Sequence, residues 1–416
     1  MLLVFFLPFD RIPSIEIAGA SIRLSLIIGG LVILRAAYLI ITKKTKFKFI
    51  TADKIILAFL AWIVLIIPES INLSRALSVV VFNAFAVLLA ISVSVIFNKK
   101  YIKDLIYALF ISCGITVVFA VYQYLGDLFG LSIKYTGLLE RYTYSVFGFP
   151  RVQAFSLEPL YYSSYLLIPY SFALALLFIK QKIIPTKFAY FVLAISSFTI
   201  FMTVSRGGIY GLIGAIALAL IFSFIKKTED FKRHALASLV IVTAGFLLSL
   251  LVINYLNKPI NAKKTGANAF IDQVKKTGLS EGDERSVARN NALRILSENK
   301  SAYLIGIGPG QYGPYQQNNA RGEGWTIVNN LPLELLLETG LIGLILVIIF
   351  FANIFFKGAG ILNSTKDPAV AVVAMAICTY LISQGIQYQS FSTLYVIHIW
   401  VVTGLLIGVI RNNSKN

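Results

Sequence analysis

The stretch "IVNNLPLELLLETGLIGLILVIIFFANIFF", Ile327–Phe356, decides what kind of molecule this is. From 333 to 356 it is apolar over more than the roughly 20 residues a helix needs to cross bilayer hydrocarbon. Its mouth is polar, with Asn329, Asn330, Glu334 and Glu338 ahead of or inside the first turns. Similar apolar runs occur at about 22–41, 53–68, 76–97, 103–125, 160–180, 187–204, 207–225, 235–256, 367–387 and 391–411, which with 333–356 makes eleven. Only 13% of the 416 residues are charged, 57% are hydrophobic and the mean hydropathy is +0.79, whereas about a quarter of a soluble domain is charged. The expected fold is therefore an all-α polytopic membrane protein. Met1–Phe9 is also apolar, but it is too short for a full span and lacks the basic n-region and cleavage site of a signal peptide. Read as a shallow or shortened first helix, it brings the expectation to about 11–12 transmembrane helices with an external, partly helical loop domain.

Cytoplasmic loops carry the Lys/Arg excess, and every second connection here is lysine-dense: "TKKTKFKF" (42–49), "NKKYIKD" (98–104), "KQKIIPTK" (180–187), "KKTEDFKRH" (226–234), "KGAGILNSTKD" (357–367) and the tail "RNNSKN". The alternate connections, including 126–159, the Ser205–Gly208 turn and the long 257–330 segment, are then expected outside. The organisation reads as a first bundle segment, 1–256, an external domain, 257–330, and a last bundle segment, 331–416. About half of the Lys and Arg behind the net charge of +18 lie in the cytoplasmic loops, where topology and anionic lipid account for them. The aromatics lie mainly in spans rather than interleaved with a basic groove, so no nucleic-acid partner is expected. Cys113 and Cys378 fall inside apolar runs and read as small core residues. With two histidines in the chain, His234 and His398, no metal site is expected.

The external connections carry the informative residues. A loop as long as 257–330 on a membrane scaffold is a usual seat of function. Asp283 is a plausible N-cap for a helix running through "ERSVARNNALRILSEN", on which Arg285 and Arg289, four apart, share a face. A solvated basic face is the competing reading. In "YLIGIGPGQYGPYQ", Gly306, Gly308 and Gly310 permit positive φ and close backbone approach, as also in a plain glycine-rich connection. Arg206 in "VSRGG" stands where one span ends and the next begins, with Gly207 and Gly208 expected to make the turn. Such a residue faces a polar cavity or partner, or else snorkels to water as an anchor. "RYTYSVFGFPRVQAFSLEPLYYSS" gathers Arg151, Glu158 and several tyrosines at the outer interface, where an aromatic belt is the plain alternative.

Taken in register, Asn330, Leu333, Leu336, Glu338, Gly340 and Gly343 resemble the signature of the O-antigen ligase and polymerase superfamily, in which a His-Asn pair leads into Leu, Leu, Glu and two Gly. "SRGG", "RSVARNNAL" and "LIGIGPGQY" resemble that family's arginine turn, its second arginine on an external helix, and its glycine loop, in order across roughly 150–350. The resemblance implies a GT-C-like glycosyltransferase needing no metal, nucleotide or other cofactor. Its implied partners are an undecaprenyl-diphosphate-linked glycan donor, a glycan acceptor, membrane lipids and a chain-length regulator. The implied place is the bacterial cytoplasmic (inner) membrane, with the active site facing the periplasm. Arg206, Arg285 and Arg289 are expected to bind the diphosphate, since guanidinium holds phosphate oxygens bidentately. Arg151, Tyr312, Asn330, Glu334 and Glu338 are expected to contact sugar or to position it, with Glu338 bracing the external loop. Asn329 departs from the family pattern: it stands where the ligases have His, and an amide cannot take a proton near neutral pH. That leans the expectation to a repeat-unit polymerase, with an O-antigen ligase and a lipid-linked oligosaccharide flippase as alternatives. Asn329 and Glu158 are the expected catalytic residues, Glu158 as proton acceptor with Glu323 and Glu334 as rivals.

Overall fold

The computed structural model describes residues 1–12, 14–17, 20–45, 47–181, 183–226, 230–256, 284–316 and 326–413. Each of the eleven apolar runs lies on a helix: α1 Leu24–Ile41, α2 Thr51–Leu65, α3 Leu73–Ile96, α4 Ile102–Leu128, α5 Pro159–Phe178, α6 Thr186–Met202, α7 Arg206–Ile225, α8 Phe231–Leu256, α10 Leu331–Ser364, α11 Pro368–Gln387 and α12 Ile397–Asn413. Between α8 and α10 the segment 257–330 contributes α9, Glu284–Glu298. Eight of the described helices are long and apolar enough to cross a membrane, while α6 and α12 are shorter apolar helices and α2 has 15 residues. The chain is a multi-pass helical membrane protein. The one departure from all-α among the described residues is an antiparallel hairpin, Ser14–Ile17 with Ala20–Arg23, paired Ser14 to Arg23 and Ile17 to Ala20. The shortened first helix is a single turn, Leu2–Phe5. Beyond it, Phe9 stacks on Phe155, and the Arg11 amide bonds the Phe155 carbonyl at 2.8 Å.

The residues group into two compact units that interleave in sequence. One comprises Met1–Gly29, Asn98–Lys276 and Ile361–Ile386, the other Gly30–Phe97, Thr277–Gly360 and Gln387–Asn416. In the first, α5 is the core: every residue from Pro159 to Phe178 is buried except Tyr161. A polar run, "YSSY" (162–165), therefore sits inside, and its groups are bonded across helices, Ser164 to Gln384 at 2.6 Å and the Tyr165 hydroxyl to Ser112 at 3.0 Å. In hydrocarbon such bonds and small residues are what hold helices together. Gly208 and Gly211 supply the small side: a Cβ on Gly208 would come 2.6 Å from Ser163, and one on Gly211 would come 2.8 Å from Leu167 and 3.1 Å from the Ser383 carbonyl. Both glycines, with Gly207, lie inside α7. The expected glycine turn is thus a packing face, and the corner falls on Val204, at φ +50.

In the second unit α3 packs along α12, where Gly404 meets the Ala90 backbone. At the lysine-rich end of these helices Arg411 holds Asp53 through both carboxylate oxygens, 3.0 and 2.9 Å, and Ser94 at 3.1 Å, with the Phe47 ring 4.6 Å away. Both charges are buried, so loss of either partner strands the other. The polar face of this unit lies at the opposite ends, where α3 begins at Asn72 and α10 at Asn330.

Candidate functional site

In the second unit the start of α10 is a short helix of its own. Asn330 caps it, its Oδ1 accepting from the Leu333 amide at 3.1 Å, while its own amide bonds Ser392 at 2.9 Å. Asn329, just before, takes the left-handed φ of +59, a region asparagine tolerates better than most residues. The helix is broken at Gly340, whose φ is 66 and ψ −175. A break leaves helix-end carbonyls that need donors, and inside a membrane protein an unmet one costs several kcal/mol, roughly. The loop between α9 and α10 provides two and α2 the third: the Ile307 amide bonds the Leu337 carbonyl at 2.9 Å, the Gly308 amide bonds that of Glu338 at 3.1 Å, and the Trp62 indole of α2 bonds that of Thr339 at 2.8 Å. The backbones cross so closely that a Cβ on Gly340 would overlap the Leu304 carbonyl, and one on Gly306, at φ +82, the Glu338 carbonyl. The two glycine motifs seen separately in the sequence are two sides of one crossing.

Glu338 completes that junction. Its carboxylate takes the Gly310 amide at 2.8 Å and the Tyr312 amide at 3.1 Å, one on each oxygen. Tyr312 is fully buried, with its hydroxyl on the Ala288 carbonyl of α9 at 3.0 Å. Burial, then the charge of Glu334, pushes that phenol up to about 12. Ala288, Ala292, Ile295 and Leu296 form the buried stripe of α9, packed with Tyr312, Val328 and Leu337. Arg285 and Arg289 flank it, both half-buried. One turn before Glu338, Glu334 folds back so that its Oε2 accepts the Val328 amide at 2.7 Å.

Sequence reasoning passed over Arg75. It lies one turn into α3, 9% exposed, and its guanidinium lies in the field of both Glu334 and Glu338. Nη2 donates to the Thr326 carbonyl at 3.2 Å, and a Cβ on Gly313 would come 2.8 Å from Nη1. Asn72 caps α3 and is gripped by Gln311, whose Oε1 takes the Asn72 amide at 2.8 Å and whose Nε2 reaches its carbonyl at 3.1 Å. The reasoning that singles out Arg206, a basic residue at the start of a span, applies equally to "NLSRAL" and would have found Arg75.

The first unit carries the other expected residues. Glu158, at the N-terminal boundary of α5 ahead of Pro159, is bonded by Arg141 at 2.7 Å. Arg151 donates to the carbonyls of Thr203 and Val204 at 3.2 and 3.3 Å, the corner before α7, with its guanidinium 5.3 Å from the Tyr142 ring and 4.7 Å from Phe147. Burial, followed by the charge of Glu158, pushes the Tyr142 phenol up to about 12. Arg206 opens α7 half-buried, behind Ser205, which caps the helix through the Gly208 amide at 3.3 Å. Asp283 and Glu323 lie outside the described residues, as do 257–283 and 317–325 as a whole. Among the described residues no group of three or more His, Cys, Asp or Glu side chains could hold a metal ion.

Residues 191–348 match the family model described as O-antigen ligase. The matched span covers α6 to α9, the glycine loop, the Asn329–Asn330 entry and the crossing at Gly340. No curated protein matches the chain.

Proposed function

We propose, on the premise that this chain belongs to the O-antigen ligase/polymerase superfamily, that it polymerises lipid-linked oligosaccharide repeat units from undecaprenyl diphosphate on the outer face of the cytoplasmic membrane. O-antigen ligase/polymerase-type glycosyl transfer is the family's common ground. The observation that supports a transfer site at the start of α10 is the crossing itself: the external loop and the broken helix complete each other's hydrogen bonds around Asn329, Asn330, Glu334 and Glu338. Evolving such a junction for mere connection would not require partly exposed amides and a carboxylate beside it.

In this reading an acceptor hydroxyl attacks the donor sugar's C1, and the polyprenyl diphosphate leaves. Arg206, Arg285 and Arg289 are assigned to the diphosphate, whose departure needs its growing charge held, and no metal is invoked. Asn329 and Asn330 present amides for sugar hydroxyls. Glu338 and Tyr312 hold the loop rather than the sugar, and Arg151 holds the corner before α7. The amide at 329 favours polymerisation, while the printed description of the matched family, O-antigen ligase, favours transfer to lipid A core.

Incubating the purified protein with a defined lipid-linked repeat, with and without lipid A core, separates these. Polymer from the repeat alone supports the proposal, and transfer only to core makes the protein a ligase. Neither product, with donor still bound, leaves a flippase or binding protein.

A further inference from the structure

The hydrogen bonds at the start of α10 divide its amides into those used by the protein and those left open. We infer that Gln389, on the 3₁₀ turn Tyr388–Ser390 between α11 and α12, binds a sugar hydroxyl of the lipid-linked repeat and so helps to select the repeat unit. The assignment rests on the transferase reading above.

Of the amides at this site, Asn330 has the least to offer a ligand. Its Oδ1 accepts the Leu333 amide at 3.1 Å, which fixes the end of the carboxamide that is oxygen. Its Nδ2 therefore faces the 388–390 turn, forked between the Gln389 carbonyl at 3.4 Å and the Gln389 Oε1 at 3.3 Å. The backbone amide of Asn330 is taken by Ser392, at 2.9 Å, on the same connection. The chain between α11 and α12 thus holds the cap of α10 from the side, within the second unit.

The same bonds orient Gln389. A carboxamide carries its oxygen and its NH₂ on one carbon. Because Nδ2 of Asn330 only donates, Gln389 presents Oε1 to it and keeps Nε2 on the other arm. Gln389 is exposed, and Nε2 makes no hydrogen bond among the described residues. Asn329 is alike: it is partly exposed at φ +59, and its side chain has no hydrogen bond among the described residues. One open carboxamide thus precedes Asn330 in the chain and another is bonded to it. Neutral donors and acceptors of this kind match hydroxyl groups, which both give and take a hydrogen bond, whereas diphosphate is better met by guanidinium. A site that hydrogen-bonds a hydroxyl also rejects the analogue that lacks it. The family match ends at residue 348, so Gln389 comes from outside it. The segment with the family signature and the residue that reads the sugar are then separate parts of the chain.

The test is binding by the full-length protein in lipid nanodiscs with two probes, a lipid-linked repeat and undecaprenyl diphosphate carrying no sugar. Gln389→Glu keeps an oxygen for Asn330 but has no N–H to present. Gln389→Leu gives up the Oε1 contact as well. A structural defect, or the added negative charge, moves both probes together, so the ratio of the two affinities is the reading. In both variants the repeat is expected to lose about 3- to 10-fold relative to the bare diphosphate, the scale of one hydrogen bond. In turnover the loss appears in KM, with kcat within a few-fold of the parent. A ratio equal to the parent's in either folded variant overturns the assignment. Should Gln389→Leu fail to fold, Gln389→Glu decides alone by the same ratio. A parent that binds the repeat but forms neither polymer nor ligated product overturns the transferase reading instead, and the affinity ratio still judges Gln389.

Discussion

In the first unit Glu158 meets Arg141, and Arg151 is spent on the carbonyls of Thr203 and Val204. In the second, Glu334 and Glu338 lie in the field of Arg75 and accept loop amides, Val328 on the first and Gly310 and Tyr312 on the second. The same residue types thus serve two ends. Around Glu158 and Arg151 the charges pin a surface: a 2.7 Å ion pair on side chains 60% and 35% exposed, and a guanidinium closing the corner before α7. Exposed pairs of that kind contribute about 0–1 kcal/mol, because water competes for both partners. Around Glu334 the carboxylates instead order backbone within the segment that matches the family model. What separates structure from chemistry here is the kind of partner each carboxylate has, rather than its proximity to tyrosines or arginines.

Substitutions at four positions press on this contrast, beginning with the largest effect. Arg206→Ala is expected to lower polymer formation about 100- to 1,000-fold, the scale of losing one charge-stabilising donor. Arg206→Lys falls between, since it keeps charge without the fork. Near-parental polymer from the alanine variant would make Arg206 an interfacial anchor and leave the first unit with structural charges alone. Next, Gly340→Ala forces a Cβ into the Leu304 carbonyl at a positive φ. Strained backbone of this kind costs about 1–3 kcal/mol, so thermal unfolding in detergent should move to lower temperature and donor binding should fall with it. An unshifted unfolding curve would mean that the loop and the broken helix are not joined as a unit.

Asn330→Ala removes the cap on the Leu333 amide and should cost about 1 kcal/mol of stability. Its turnover, measured per folded molecule, tells whether the amide also touches sugar. The smallest effect is expected from Arg141→Gln, which breaks the exposed bond to Glu158. Stability should change by less than about 1 kcal/mol, with turnover within a few-fold of the parent. Loss of turnover with donor still bound would break the comparison, because it would place Glu158 in the chemistry after all.

Much of this molecule was readable along the chain. Eleven apolar runs fall on eleven helices, and α9 begins within a residue of the expected cap. Spacing alone could also show that Arg285 and Arg289 share a face. It could not show that Gly208 and Gly211 serve helix packing, nor that Arg75, 259 residues before Glu334, lies in its field.

Hydrophobic length and helical period are properties of neighbouring residues, so the sequence by itself determined the helical membrane class, the spans and the family signature. Hydrogen-bond partners are properties of residues brought together by folding. Glu158, Glu334 and Glu338 are all glutamates ahead of or within apolar runs. Only the tertiary structure decided that the first faces a guanidinium and the last two face loop amides. That division follows from the physics, because burial is set by average composition over many residues, whereas the role of a carboxylate is set by two or three donors whose positions no local pattern encodes.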